Sequence, residues 1–196
     1  VTAGSIKLTD TGTLASNVSM SGGTLDADNT LTVSGTLTHA GDITMDVAGT
    51  RTLTYTGAPI SLGEHTLKLM GGGNLLSGGL KINNVNSKLL LSSITVDNVS
   101  TSVDNSLGVE VENDSTISSF AVSNITPVSI ASGKILSGGI TLTGGSIKLG
   151  ETGTLASTVS MSGGTLDADA TLTLSGVLSH TADITIDVAV NKTLTY

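Results

Sequence analysis

The sequence predicts an all-β fold, a parallel β-helix (β-solenoid) with coils of about 18–20 residues, because fixed-period repetition of short strands signals a solenoid. Three observations carry this. Ser5 to Tyr55 aligns with Ser146 to Tyr196 without a gap, 141 residues apart and with 38 identities in 51 positions. Apolar and polar residues alternate along almost the whole chain. Leu25, Leu31, Leu37 and Ile43 lie six apart, as do Leu166, Leu172, Leu178 and Ile184.

The alternation is explicit in Ile6-Lys7-Leu8, Leu31-Thr32-Val33, Ile43-Thr44-Met45-Asp46-Val47, Leu67-Lys68-Leu69, Val109-Glu110-Val111 and Ile184-Thr185-Ile186-Asp187-Val188. Period two with one buried face means β-strand. No window has the i, i+3, i+4 spacing of a helix, and Thr, Ser, Val and Gly crowd every segment. Gly22-Gly23, Gly78-Gly79, Gly138-Gly139, Gly144-Gly145 and Gly163-Gly164 break the strands. Hairpins would need longer strands and tight Asn-Gly turns, and no Asn-Gly pair occurs. Strands every six to seven residues fit a chain winding round a triangular coil. Leu25, Ile43, Ile60 and Leu80 are expected to stack as an aliphatic ladder. Seven or eight coils then make up the repeat unit 5–145, and 146–196 is a partial second unit of one continuous solenoid spanning 1–196. The spacing from Asn83 to Asn124 is too irregular to divide into coils. The match to the first copy predicts that the parent chain continues past Tyr196 with residues like Thr56-Gly57-Ala58-Pro59.

Composition agrees with a narrow interior. The only aromatic residues are Tyr55, Tyr196 and Phe120, while Ser and Thr number 57 and Gly 25. An apolar share of 38% with 12% charged residues is too apolar for a disordered chain. Aliphatic side chains are expected inside, with aromatics excluded. There is no cysteine, so disulfides and thiolate metal sites are ruled out. A net charge of −8 with scattered Lys and Arg argues against nucleic acid as a partner. No apolar run reaches membrane-helix length, so no membrane insertion of this segment is expected.

The strings Gly23-Thr24-Leu25-Asp26-Ala27, Leu31-Thr32-Val33-Ser34-Gly35-Thr36-Leu37 and Gly164-Thr165-Leu166-Asp167 resemble the Gly-Thr-Leu-rich repeats of bacterial autotransporter passengers and filamentous-haemagglutinin-type adhesins and fibres. The resemblance covers the chain in style and rests on no single motif. It implies a right-handed parallel β-helix outside the bacterial cell. It also implies a structural role, as a fibre, stalk or adhesin whose partners are neighbouring copies or cell-surface glycans. The six-residue spacing also fits left-handed hexapeptide helices; the irregular spacing elsewhere favours the right-handed form. The alternative function is a β-helix that binds or degrades polysaccharide.

That alternative rests on acid pairs. Asp26 and Asp28 share a strand face at roughly 6.5–7 Å, within the range of inverting glycosidases. Asp42/Asp46, Glu110/Glu112 and Asp167/Asp169 are similar pairs. The copying of Asp26 and Asp28 as Asp167 and Asp169, and the lack of aromatic sugar platforms, favour solvated outer-face acids. No catalytic, cofactor or metal residue is therefore assigned, and the chain is not expected to be an enzyme. Gly71-Gly72-Gly73-Asn74 does not continue into the calcium β-roll signature. His39 and His180, equivalent in the two copies, are expected to be hydrogen-bonded structural residues, and His65 to lie in a turn. Thr-x-Thr at Thr30/Thr32, Thr36/Thr38, Thr52/Thr54, Thr141/Thr143, Thr171/Thr173 and Thr193/Thr195 would suit an ice-binding face if it lay on one side; the motifs are expected to fall on different sides. Asn17, Asn98, Asn113, Asn124 and Asn191 open Asn-x-Ser/Thr triplets, a frequent accident in a chain rich in Ser and Thr.

Overall fold

The computed structural model describes all 196 residues. The chain forms short strands and no helix, and the strands stack in parallel as a β-solenoid of about ten turns. Three walls result. The first has ten strands: Ser5–Leu8, Thr24–Ala27, Ile43–Val47, Thr66–Met70, Lys88–Ser92, Gly108–Asn113, Ile125–Ile130, Ser146–Leu149, Thr165–Ala168 and Thr185–Val188. The second begins with Gly12–Leu14, Leu31–Val33, Thr52–Tyr55 and Asn74–Leu76. The third begins with Val18–Met20 and Leu37–His39, then Ile60–Ser61 and Leu80–Ile82.

In the middle turns the corner between second and third walls straightens. Thr95–Thr101, Ser115–Val122, Ile135–Leu142 and Thr154–Met161 each run along both. The first two lie in the stretch Asn83–Asn124 where six-residue spacing fails in the sequence, and the last two follow it. Ser34-Gly35 or Ser77-Gly78-Gly79 punctuates the corner in the earlier turns. Asp97-Asn98 and Ser118-Ser119, within strands, replace them in the irregular region.

Inward side chains form one apolar cluster of 43 buried residues. Outward and inward positions alternate as predicted: Thr66–Met70 reads half-buried, buried, half-buried, buried, half-buried. The ladder differs from the expected one. Leu25 pairs with Met45, Met45 with Leu69, Leu69 with Leu91 and Leu91 with Val111. Ile43 is the preceding inward residue of its strand, and Ile60 and Leu80 pair with each other on the third wall. Most coils keep the expected 18–20 residues, and a few run longer. Ser5 pairs with Thr24, nineteen residues on, but Ile43 pairs with Leu67, twenty-four on. The extra residues sit in the Ala48–Arg51 corner, where Thr50 is left-handed at φ 65°, and in the Thr56–Pro59 corner.

Seven first-wall strands precede Ser146–Leu149, so the repeat unit has seven coils. Leu25 and Leu166 are both fully buried on the first wall, but not in one column. The Leu25 column reaches Ile130 through Val111, whereas the Leu166 column passes through Ile147 to Thr126. The two cross the strand Ile125–Ile130 four residues apart.

The interior also accepts aromatics, contrary to the sequence expectation. Phe120 is fully buried, and a register irregularity between Ile117 and Phe120 against the next strand makes room for a larger coil. Tyr55 is buried at a corner, where its hydroxyl accepts a hydrogen bond from the Leu37 N–H at 3.1 Å. The ring occupies the space beside Gly57: a Cβ there would lie 2.2 Å from the Tyr55 hydroxyl.

Candidate functional surfaces

Each wall presents a different chemistry to solvent. On the first wall the outward column Lys7–Asp26–Asp46 recurs one unit later as Lys148–Asp167–Asp187. Between them lie Lys68, Lys88, Glu110 and Glu112. Lys7 reaches both Asp28 at 2.8 Å and Asp26 at 3.4 Å. Those two carboxylates thus share a face as expected, and they share one cation. Asp28 and then Asp26 hold the fully exposed Lys7 ammonium above its usual range. Glu112 pairs with Lys68 at 3.0 Å, and Glu110 pairs with Lys88. The partly exposed Lys68–Glu112 and Lys88–Glu110 pairs are worth about 0–1 kcal/mol each.

The copied pair has a different environment. Lys148 stands 3.9 Å from Asp167. Partial burial raises the Asp167 carboxyl above the usual range; Asp169 and Asp187 add to this and Lys148 opposes it. Asp42 and Asp46 do not form a pair. Asp42 sits at the corner before the wall, where it accepts a hydrogen bond from the Thr66 N–H at 2.7 Å. Asp46 faces outward in register with Asp26. No three acidic or imidazole side chains converge in a way that could hold a metal ion.

The second wall is a hydroxyl surface. Thr13, Thr32 and Thr54 form one outward column, and Asn74, Thr95, Thr116 and Ser137 the next. Thr154, Thr173 and Thr195 form a third at the far end. Four of the six Thr-x-Thr motifs, at Thr30/Thr32, Thr52/Thr54, Thr171/Thr173 and Thr193/Thr195, therefore share this wall. Only Thr36/Thr38 and Thr141/Thr143 lie on the third. The motifs thus fall on different sides, as expected, but four of the six gather on one wall. The cause is the coil length: a 22-residue turn puts Thr32 directly under Thr54.

The third wall is smoother. Ser61, Lys81, Ser100, Ala121, Thr141, Ser160 and Ser179 form a continuous outward column. Lys81 is its one charged member.

His39 ends a third-wall strand. Its Nδ1 lies 3.2 Å from the Gly41 carbonyl oxygen and its Nε2 lies 3.0 Å from that of Ser61. His180 repeats the first contact with Ala182 at 3.2 Å. His65 comes from the next turn to within 5.8 Å of His39, edge to face. Their separation in sequence, slightly more than one coil, hides this neighbour from local motif reading. The asparagines of the Asn-x-Ser/Thr triplets lie mostly at corners. Asn17 accepts from the Thr36 N–H at 2.9 Å, and Asn113 donates to Ser92 at 2.9 Å.

These features define a β-solenoid repeat protein. No family model, curated protein or solved structure matches the chain.

Proposed function

We propose that this chain is a structural segment of a long repetitive extracellular fibre, stalk or adhesin at the bacterial cell surface, and not an enzyme. The observation that supports this reading is the junction between units. Ser146–Leu149 opens the second copy and stacks on Ile125–Ile130 by ordinary parallel pairing. Thr154–Met161 pairs with Ile135–Leu142 over all eight of its residues. A unit boundary is thus structurally just another coil, and units can follow one another without a linker. Each adds a fixed length, because coils touch only their neighbours.

The test is direct. Electron microscopy of the purified chain should show a rod about 43 Å from first to last coil, from nine intervals of roughly 4.8 Å. Antibody against the chain should label filaments on intact source cells. Label confined to the cell interior, or turnover of a polysaccharide panel that an Asp26→Asn, Asp28→Asn double variant abolishes, would overturn the proposal.

A further inference from the structure

The corner between the first and second walls is uneven. Ala48–Arg51 forms a four-residue corner between strands, and so does Ala131–Lys134. Between them the corners shorten to Gly71–Gly73, then Ser93-Ile94, then Asp114 alone. Three shorter corners therefore lie between two longer ones. Along the shorter ones runs a groove of about 450 Å³ whose lining includes Ser93, Thr95, Asp114, Thr116, Ile135 and Ser137. From Gly72 to Ser137 it spans three coil intervals, roughly 14 Å.

The lining has a specific chemistry. Thr95, Thr116 and Ser137 stack in register, one hydroxyl per coil. Thr116 and Ser137 share a 2.8 Å hydrogen bond, in which either hydroxyl can donate. Asp114 accepts from the Ile135 N–H through Oδ1 at 3.0 Å, leaving Oδ2 without a protein partner. Ile135 exposes 38% of its surface at one side of the groove. Ser93 holds a left-handed φ of 57° in the floor, a conformation that costs a non-glycine residue free energy and clusters at functional positions.

We infer that this groove is a binding site for a short uncharged oligosaccharide lying along the rod axis. The lining offers hydroxyl donors and acceptors and one carboxylate acceptor, with an apolar edge for a sugar's C–H face. The volume lies within the ordinary range of ligand sites, and the lining is more polar than is usual for them. An extended peptide is poorly served: the strands beneath are paired on both sides, so no free edge remains for strand addition. An anionic ligand would meet Asp114. The site goes beyond the fibre reading, and with one groove per seven-coil unit a repetitive rod would display it at regular intervals. Multivalent display would raise avidity without improving any single site.

The test uses the 196-residue chain against an array of neutral tri- and tetrasaccharides of glucose, galactose, mannose and N-acetylglucosamine, followed by calorimetry on any that bind. At least one class should bind saturably. Thr116→Val keeps the side-chain shape and removes the hydroxyl; together with Ser137→Ala it should weaken binding at least ten-fold. Ser100→Ala with Thr141→Val on the third wall should leave affinity within two-fold. Circular dichroism confirms that each variant folds, and Asp114→Asn, which keeps the acceptor for Ile135, gives a further variant with the corner preserved. Absence of saturable binding to every oligosaccharide, or binding unchanged in both groove variants, would overturn the inference.

Discussion

Truncating Leu69 to alanine tests the inward ladder at a fully buried rung. Leu69 is fully buried and lies between Met45 and Leu91, which are fully buried as well. The interior is closed above and below by neighbouring coils, so little can collapse into the space. A Leu→Ala cavity of this kind costs about 2.7–5 kcal/mol. For a chain of this size each kcal/mol shifts the melting temperature by roughly 2–4 °C, so the expected drop is roughly 5–20 °C. Leu90→Ala is the matched control: the same residue type on the neighbouring strand, but outward and half-buried. It should cost less than half as much. Thermal melts followed by circular dichroism give both values, and hydrogen exchange should show protection lost first in the strands Ile43–Val47, Thr66–Met70 and Lys88–Ser92. Equal costs for Leu69→Ala and Leu90→Ala would refute the in–out assignment of the first wall.

Three further outcomes are expected. Tyr55→Phe leaves the buried Leu37 N–H without its acceptor and should cost about 1–3 kcal/mol; Tyr196→Phe, at a hydroxyl in a side chain 75% exposed, should be nearly neutral in the same urea titration. Gly138 has φ 117°, and a Cβ there would lie 1.8 Å from the Ile117 carbonyl oxygen. Gly138→Ala should therefore destabilise by more than about 1 kcal/mol, whereas Gly144→Ala, with nothing within 4 Å, should not. The Asp167 carboxyl is raised in the folded chain by burial, Asp169 and Asp187, so the native state holds that proton more tightly than the unfolded state. Its contribution to stability is full below the ordinary carboxylate pKa of about 3.9 and is lost as pH rises through the raised value. Melts across pH 3 to 8 should show this loss in the parent chain and a flatter profile in Asp167→Asn.

Architecture was legible in the sequence because one coil's alternation is local. Ile43 to Val47 shows its inward and outward sides without knowledge of any partner. Register was less legible, because it depends on corner lengths that the strands themselves do not state. The six-residue spacing points to Ile43 as the rung above Leu25, yet the pairing takes Met45, two residues further on and on the same face. The same uncertainty hid the stacking of Thr32 under Thr54, which a 22-residue coil brings about. Phe120 was misplaced for a related reason: composition gives an average interior width, whereas the irregularity beside Ile117 changes it locally. Asp26 and Asp28 could be read as far as their shared face, whereas Asp42 lies at a corner away from Asp46. The shared cation could not be read, since Lys7 and Asp26 meet only across a coil.

The outer surface follows from the same arithmetic. Alternation fixes that every second residue faces outward, but corner lengths decide which outward residues become neighbours. A charge change on the first wall therefore meets Lys or acid partners one coil away, while the same change on the third wall, away from Lys81, meets only Ser, Thr and Ala. Lengthening one corner by a residue would leave each strand's own pattern intact and still disturb the columns on all three walls. The groove runs along corners of two and one residues, Ser93-Ile94 and Asp114, which are shorter than the four-residue corner Ala131–Lys134. A solenoid can thus hold its core constant and vary its surface through corner length. That is why the inward side of each strand can be read from its own alternation, while the columns and the most site-like feature appear only when successive corners are compared.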